Sequence, residues 1–401
     1  MSEGSNEGFI PPPKSLDTKC MHHCQDPSTW KSKSVIPHIV LSSVFQIEDA
    51  RNMKGKYLYG RIANPSRVIL ERVFGAINKA KFGLAFSSGV SALTSVFGIL
   101  KTGQHIIAHE EMSTEHYKVF NEVASGFGIQ TTYVDFSDTT NITEAIRDNT
   151  KLLWLEHPTY PTLKVFDLCN LVTYAKQRGL YVGVDNTYLT PYLQRPLELH
   201  ADIVMQSCTK YMNGHSDMSH GALCTNDKQL LKGMQKIQRM YGLIPSPFDC
   251  YQVLRGLKTL QLRMEEHTKN GLLVANFLQR HPSVKKVLHP AFKDHTNHDI
   301  FKKQSSGHSG IISFYIKGGK AEATRFIESL NIFTVTDVFG GNESTAQIPA
   351  IMSHEGLPRV LKEKLKIADN LITVSVGLEE VCDIICDLEQ ALDKIKSNAN
   401  C

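Results

Sequence analysis

Two segments of this 401-residue chain carry side chains suited to one kind of chemistry. Val184-Asp185-Asn186-Thr187 sets an acid at the end of an apolar run, and Ser207-Cys208-Thr209-Lys210-Tyr211 sets a lysine among hydroxyls after the next such run. A carboxylate in a low-dielectric crevice needs a positive partner, and a desolvated lysine amine can form a Schiff base with an aldehyde. Ser87-Ser88-Gly89 adds small residues at the opening of a helix, where free N–H groups suit a phosphate. An aldehyde, an electron-poor ring nitrogen and a phosphate together describe pyridoxal 5'-phosphate (PLP). Any one segment alone reads as an ion pair or a helix cap; the three in this order point to the cofactor.

Short apolar runs must hold these residues. His105–His109, Thr131–Val134, Leu152–Leu155, Tyr181–Val184 and Ile203–Gln206 are brief and nearly all apolar, the pattern of strands buried on both faces of a parallel sheet. Helical patterns alternate with them at Ser91–Leu100, Lys118–Phe127 and Leu168–Arg178. This is an α/β arrangement, and its ligands should gather at the carboxyl ends of the strands. After Pro245-Ser246-Pro247 the pattern changes. A proline-free helical stretch, Phe248–Gln279, leads to strand candidates at Val284–Leu288, Gly310–Ile316, Phe333–Val335 and Ile372–Val376 and to a final amphipathic helix over Glu380–Ile395. The division expected is an N-terminal arm (1–62) completing a neighbouring subunit's site, a PLP-binding α/β domain (63–260) and a smaller C-terminal α+β domain (261–401), with residues 1–30 irregular.

Composition excludes several classes. Forty-four basic against 40 acidic side chains leave a net charge of +4, too small to imply nucleic acid as a partner. No apolar run approaches the roughly 18–20 residues of a membrane span. Nine scattered cysteines suit the reduced thiols of a cytoplasmic protein better than a disulfide framework. Cys20-Met21-His22-His23-Cys24 lacks a second ligand pair at zinc-like spacing, so no metal is expected there. Cys382 and Cys386, one helical turn apart, are read as packing residues, and His109, His116 and His157 as structural.

Several stretches together resemble the Cys/Met-metabolism family of PLP enzymes: Tyr59-Gly60-Arg61-Ile62-Ala63-Asn64-Pro65, Ala85-Phe86-Ser87-Ser88-Gly89, Asp185-Asn186-Thr187 and Ser207 through Asp217. Pro245-Ser246-Pro247 and Arg255-Gly256-Leu257-Lys258-Thr259 extend the likeness, which runs from about Ile36 to Leu392. The resemblance implies a PLP-dependent aspartate-aminotransferase-like fold with a large, mostly parallel sheet. It implies Lys210 as Schiff-base lysine and proton shuttle, and Asp185 on the pyridinium nitrogen. It sets Ser88, Gly89, Val90, Ser207 and Thr209 around the phosphate, with Tyr59 and Arg61 reaching the neighbouring subunit's site in a homotetramer built as a dimer of dimers.

Four positions depart from the family pattern, and all four belong to the substrate side. Ser113 stands where the family stacks a tyrosine on the cofactor ring, and Tyr160 where it has an asparagine. Val338 replaces a serine, and Thr373 replaces the arginine that grips the substrate α-carboxylate. A bidentate guanidinium–carboxylate contact comprises two charge-assisted bonds of about 1.5–3 kcal/mol each, and Lys118 is the nearest candidate to compensate. The implied function is a PLP-dependent carbon–sulfur lyase acting on a small sulfur-containing amino acid in cysteine and methionine metabolism, with an altered substrate side. The alternative is a catalytically impaired relative that keeps the fold and PLP and acts by binding or regulation.

Overall fold

The computed structural model describes residues 8–47 and 57–396, so two parts of the expected arm, 1–7 and 48–56, lie outside the described residues. Seven strands form the first sheet: β1 (Phe82–Phe86), β2 (His105–His109), β3 (Gln130–Val134), β4 (Thr150–Glu156), β5 (Tyr181–Asp185), β6 (Ile203–Ser207) and β7 (Gly221–Thr225). Their order is β1-β7-β6-β5-β4-β2-β3; β2 through β6 pair in parallel, and β7 runs antiparallel to both its neighbours.

Alternate residues of each strand feed opposite cores, as a pleated strand requires. Ile106, Ala108, Leu152 and Trp154 pack with Leu93, Val96 and Phe97 of the helix Gly89–Val96 and its extension on one face. Ile107, Leu153, Leu155, Val182 and Val184 pack with Leu168, Leu171 and Val172 of the helix Leu168–Lys176 on the other. With both faces covered, the strands read as unbroken apolar runs rather than as alternation. The pattern 105–109 is recovered as β2 and the others to within a residue or two, whereas β1 and β7 escape the sequence reading. Gly83 and Gly221 dilute their apolar signal.

The second sheet contains β8 (Val284–Leu288), β9 (Ile311–Ile316), β10 (Thr334–Val335), β11 (Thr345–Gln347) and β12 (Leu371–Ser375), ordered β10-β11-β12-β9-β8. The final helix, Val381–Lys396, packs Ile384, Leu388, Leu392 and Ile395 onto it. Cys382 and Cys386 face outward from that helix and are exposed, contrary to their reading as packing residues. The stretch expected as one long helix divides at Lys258–Thr259 into Pro247–Leu257 and Leu260–Arg280.

A second correction concerns the first thirty residues. Leu16–His22 is a helix whose Leu16 and Cys20 are buried in the core beside Leu254 and Leu260. Leucine and cysteine one turn apart make an apolar edge too short to stand out from polar neighbours. Burial also pushes the Cys20 thiol up to about 12, so it is a core group there and not a thiolate ligand.

Candidate active site

β1, β4, β5 and β6 deliver their carboxyl ends to one crevice of about 440 Å³. Ser88 follows β1 and caps the helix Gly89–Val96, its Oγ accepting from Ser91 N at 3.0 Å. Gly89 opens that helix against β6: a Cβ at this position would lie 2.9 Å from Ser207 Oγ and 3.0 Å from Ser207 Cβ. The result is a cradle of small side chains (Ser88, Gly89, Ser207 and Thr209) at the helix N-terminus, where N–H groups and the helix dipole favour an anion.

Asp185 ends β5 with one oxygen committed. Its Oδ1 accepts from Thr187 Oγ1 at 2.5 Å and Thr187 N at 2.9 Å, while Thr187 Oγ1 in turn accepts from Ser207 N at 2.8 Å. The other oxygen lies 3.9 Å from His116 Nε2. Burial raises the Asp185 pKa to about 6, although the His116 charge opposes the rise. Such a carboxylate has a strong need for a cationic partner.

Lys210 follows β6 and lines the crevice. Desolvation lowers its pKa, against the pull of Glu115, Asp337 and Asp185, which favours the neutral amine a Schiff base needs. The turn after it is pinned by Arg263, whose Nη1 donates to Tyr211 O at 2.6 Å and Nη2 to Gly256 O at 2.8 Å and Met212 O at 3.3 Å. From the second sheet's side, Gly340 at φ +82° comes so near that a Cβ would sit 3.0 Å from both Lys210 Cβ and Tyr211 N. Residues far apart in sequence thereby fix one amine.

The chain resembles known proteins over nearly its whole length. Residues 17–393 match the family model described as Cys/Met metabolism PLP-dependent enzyme. The chain belongs to that family. Cystathionine gamma-lyase of Sus scrofa is 42% identical over 390 residues, covering 97% of this chain and 96% of the relative. Putative cystathionine gamma-lyase 2 of Caenorhabditis elegans is 40% identical over 378 residues, covering 94% and 96%. The crystal structure of metB from Corynebacterium glutamicum superposes with a TM-score of 0.90 at 36% identity, covering 95% and 98%. That of cystathionine gamma-lyase from Lactobacillus plantarum complexed with L-serine gives 0.90 at 32%, covering 95% and 99%.

PLP is the cofactor of this family, and the crevice suits it. Gly89 leaves the cradle open for a phosphate, the second oxygen of Asp185 accepts no hydrogen bond among the described residues and lies 3.9 Å from His116 Nε2, and Lys210 has no ion-pair partner among the described residues. Of the residues singled out from sequence, the crevice gathers Ser88, Gly89, Val90, Asp185, Ser207, Thr209 and Lys210 with Ser113, Tyr160 and Val338. Tyr59 and Arg61 stand outside it. Tyr59 is exposed and bridges Val44, and Arg61 Nη1 donates to Arg239 O at 2.7 Å.

The positions expected on the substrate side have structural work of their own. Ser113 caps the short helix Thr114–Lys118, accepting from His116 N at 3.4 Å. That helix aims His116 into the crevice, where it hydrogen-bonds Glu156 at the end of β4. Burial alone would lower the His116 pKa, but Glu156 and then Asp185 outweigh it and raise it to about 9. His116 thus departs from its reading as a structural histidine, while His109 and His157 are buried away from the crevice. Glu156 was legible in principle, because it ends an apolar run as Asp185 does.

Tyr160 is 2% exposed, packed on Phe339 and His354 with ring centroids 5.4 Å away in each case. Its hydroxyl faces Ser353 Oγ at 3.4 Å and Thr373. Thr373 itself is fully buried in β12, behind Tyr160 and outside the crevice lining. Lys118 is exposed and does not enter the crevice, so it offers no substitute for an arginine.

Proposed function

We propose that this chain is a PLP-dependent protein of carbon–sulfur lyase type whose substrate side is remodelled, so that cleavage of cystathionine is weak or absent. PLP supplies an electron sink for a carbanion at the substrate's Cα. Lys210 would hold the cofactor's aldehyde carbon and then move the Cα proton; Asp185 would keep the ring nitrogen protonated; Ser88, Gly89, Val90, Ser207 and Thr209 would surround the phosphate. Tyr59 and Arg61, outside their own crevice, are assigned to the partner subunit's phosphate site in a cytoplasmic homotetramer.

The observation that carries this reading is the layer Tyr160–Thr373–Ser313. Thr373 spends its hydroxyl on Ser313 Oγ at 2.8 Å, and Tyr160 stands between it and the crevice. Among the described residues lining the crevice there is no guanidinium to fix an amino acid's α-carboxylate, so its Cα–H bond would not be held in line with the cofactor π-system. The same sealed layer favours a second reading, a catalytically impaired relative that keeps PLP and acts by binding or regulation.

The deciding experiment is an absorbance spectrum of purified protein with and without cystathionine, followed by kcat/KM. Visible absorbance fixed by borohydride onto the Lys210 peptide, with little cleavage, is the expected outcome. A kcat/KM of about 10⁴ M⁻¹s⁻¹ or more, typical of efficient enzymes, would overturn it. Sedimentation of a monomer with full PLP occupancy would refute the shared site, and Arg61→Ala should weaken PLP retention without unfolding the subunit.

A further inference from the structure

Beyond the phosphate cradle, the charged side chains that face the crevice do not match an anionic substrate. Its ionisable lining is Glu115, Glu156, Asp185 and Asp337 against Lys210 and His116. Both cations are spoken for on the proposed reading: Lys210 carries the cofactor, and His116 is bonded to Glu156 and lies beside Asp185. Asp185 is likewise committed to the ring nitrogen. What remains for a ligand is Glu115 and Asp337, both exposed and neither ion-paired among the described residues. The wall that could have offered a buried cation is instead Tyr160, with Thr373 and Ser313 satisfying one another behind it.

Away from the phosphate cradle, an α-carboxylate entering here leaves water and finds no uncommitted cationic donor among the described residues of its own subunit, while it meets two uncompensated carboxylates. A desolvated charge without a partner costs several kcal/mol, and like charges add to that cost. A second ammonium meets the opposite situation. Glu115 is placed to receive it, since it lines the crevice from the same short helix as His116.

We propose that the site takes a primary amine that has no α-carboxylate and bears a second positive charge, held by Glu115; this rests on the reading that PLP is bound through Lys210. The ligand's amine replaces Lys210 at the cofactor's aldehyde carbon. The carbon–nitrogen bonds to Lys210 would break as those to the ligand form, and the three hydrogens of the incoming ammonium would end on the Lys210 nitrogen, which leaves as its own ammonium.

Three probes of equal chain length separate the contributions: 1,5-diaminopentane, L-lysine, which is the same diamine plus an α-carboxylate, and pentylamine, which lacks the second charge. Dissociation constants are read on the holoprotein from the shift in its visible band and by calorimetry. The expected result is 1,5-diaminopentane binding at least tenfold more tightly than L-lysine and at least threefold more tightly than pentylamine. Glu115→Gln should narrow the second gap at least twofold with pentylamine unchanged. L-lysine binding as tightly as the diamine in a coloured holoprotein overturns this inference alone, as does a diamine no better than pentylamine or a Glu115→Gln variant that keeps both gaps. A protein that stays colourless after incubation with PLP overturns the reading beneath it as well.

Discussion

Thr373 Oγ1 and Ser313 Oγ face each other at 2.8 Å across the β12–β9 ladder, and Ser313 Oγ also donates to Pro161 O at 2.6 Å. The Thr373 hydroxyl, expected from the sequence to stand where the family has an arginine, is therefore part of a closed network that ties the second sheet to the Tyr160-Pro161 turn. Thr373→Arg alone should force an unpaired guanidinium behind Tyr160 and destabilise the fold by about 3–5 kcal/mol. Thr373→Arg with Tyr160→Asn opens a path to the crevice and should recover most of that loss. Denaturant midpoints of the two variants check this; equal losses would show that Tyr160 is not the obstruction. Adding Ser113→Tyr and Val338→Ser should raise kcat/KM for cystathionine beyond the sum of the single changes, because all four act on one bound molecule.

On the proposed reading, Asp185→Asn exchanges a charged acceptor for a neutral one at the ring nitrogen. Losing a charge-assisted bond of about 1.5–3 kcal/mol should weaken PLP retention about 10–100-fold. Fluorescence titration of the apoprotein with PLP measures it, and an unchanged dissociation constant would remove Asp185 from the cofactor site.

The His116–Glu156 pair gives the cofactor-free protein a pH signature. The folded pKa of His116, about 9, stands above its ordinary value of 6.5, so the pair's stabilisation is complete below pH 6.5 and is lost as pH rises through about 9. Asp185, raised to about 6, finishes most of its own titration below this window. The melting temperature should fall between pH 6.5 and 9.5, and Glu156→Gln should flatten that slope. Parallel slopes in the two proteins would refute the pairing.

Gly340→Ala tests how the second sheet's loop holds Lys210. The backbone at φ +82° disfavours any Cβ, and this one would press on Lys210 Cβ and Tyr211 N at 3.0 Å. A loss of about 1–3 kcal/mol should come with a displaced visible band in the holoprotein. An unaltered spectrum would show that the loop does not set the lysine's position.

Most of the cofactor side was legible because its residues sit at the ends of apolar runs. Asp185 closes β5, and Ser207 closes β6 three residues before Lys210, so local sequence carries the geometry. The substrate side was legible only as a set of departures. Nothing adjacent to Tyr160 in sequence reveals that Phe339, His354 and Thr373 enclose it, since those contacts close loops of about two hundred residues. His116 hid for a different reason: its partner Glu156 lies forty residues on, and only the Ser113-capped turn aims one at the other.

The distribution of thiols turns the chain into its own labelling clock. Cys169, Cys382 and Cys386 are open to solvent, while Cys20, Cys208, Cys224 and Cys250 are buried. A thiol reagent should consume the first three at once and the others only at the pace of internal opening. Cys208 lies two residues from Lys210, and Cys20 is on the buried side of the first helix, so their separate rates report loosening around the cofactor lysine and detachment of the N-terminal segment. Saturating PLP should slow the first rate far more than the second, which makes cofactor engagement countable in the absence of any substrate.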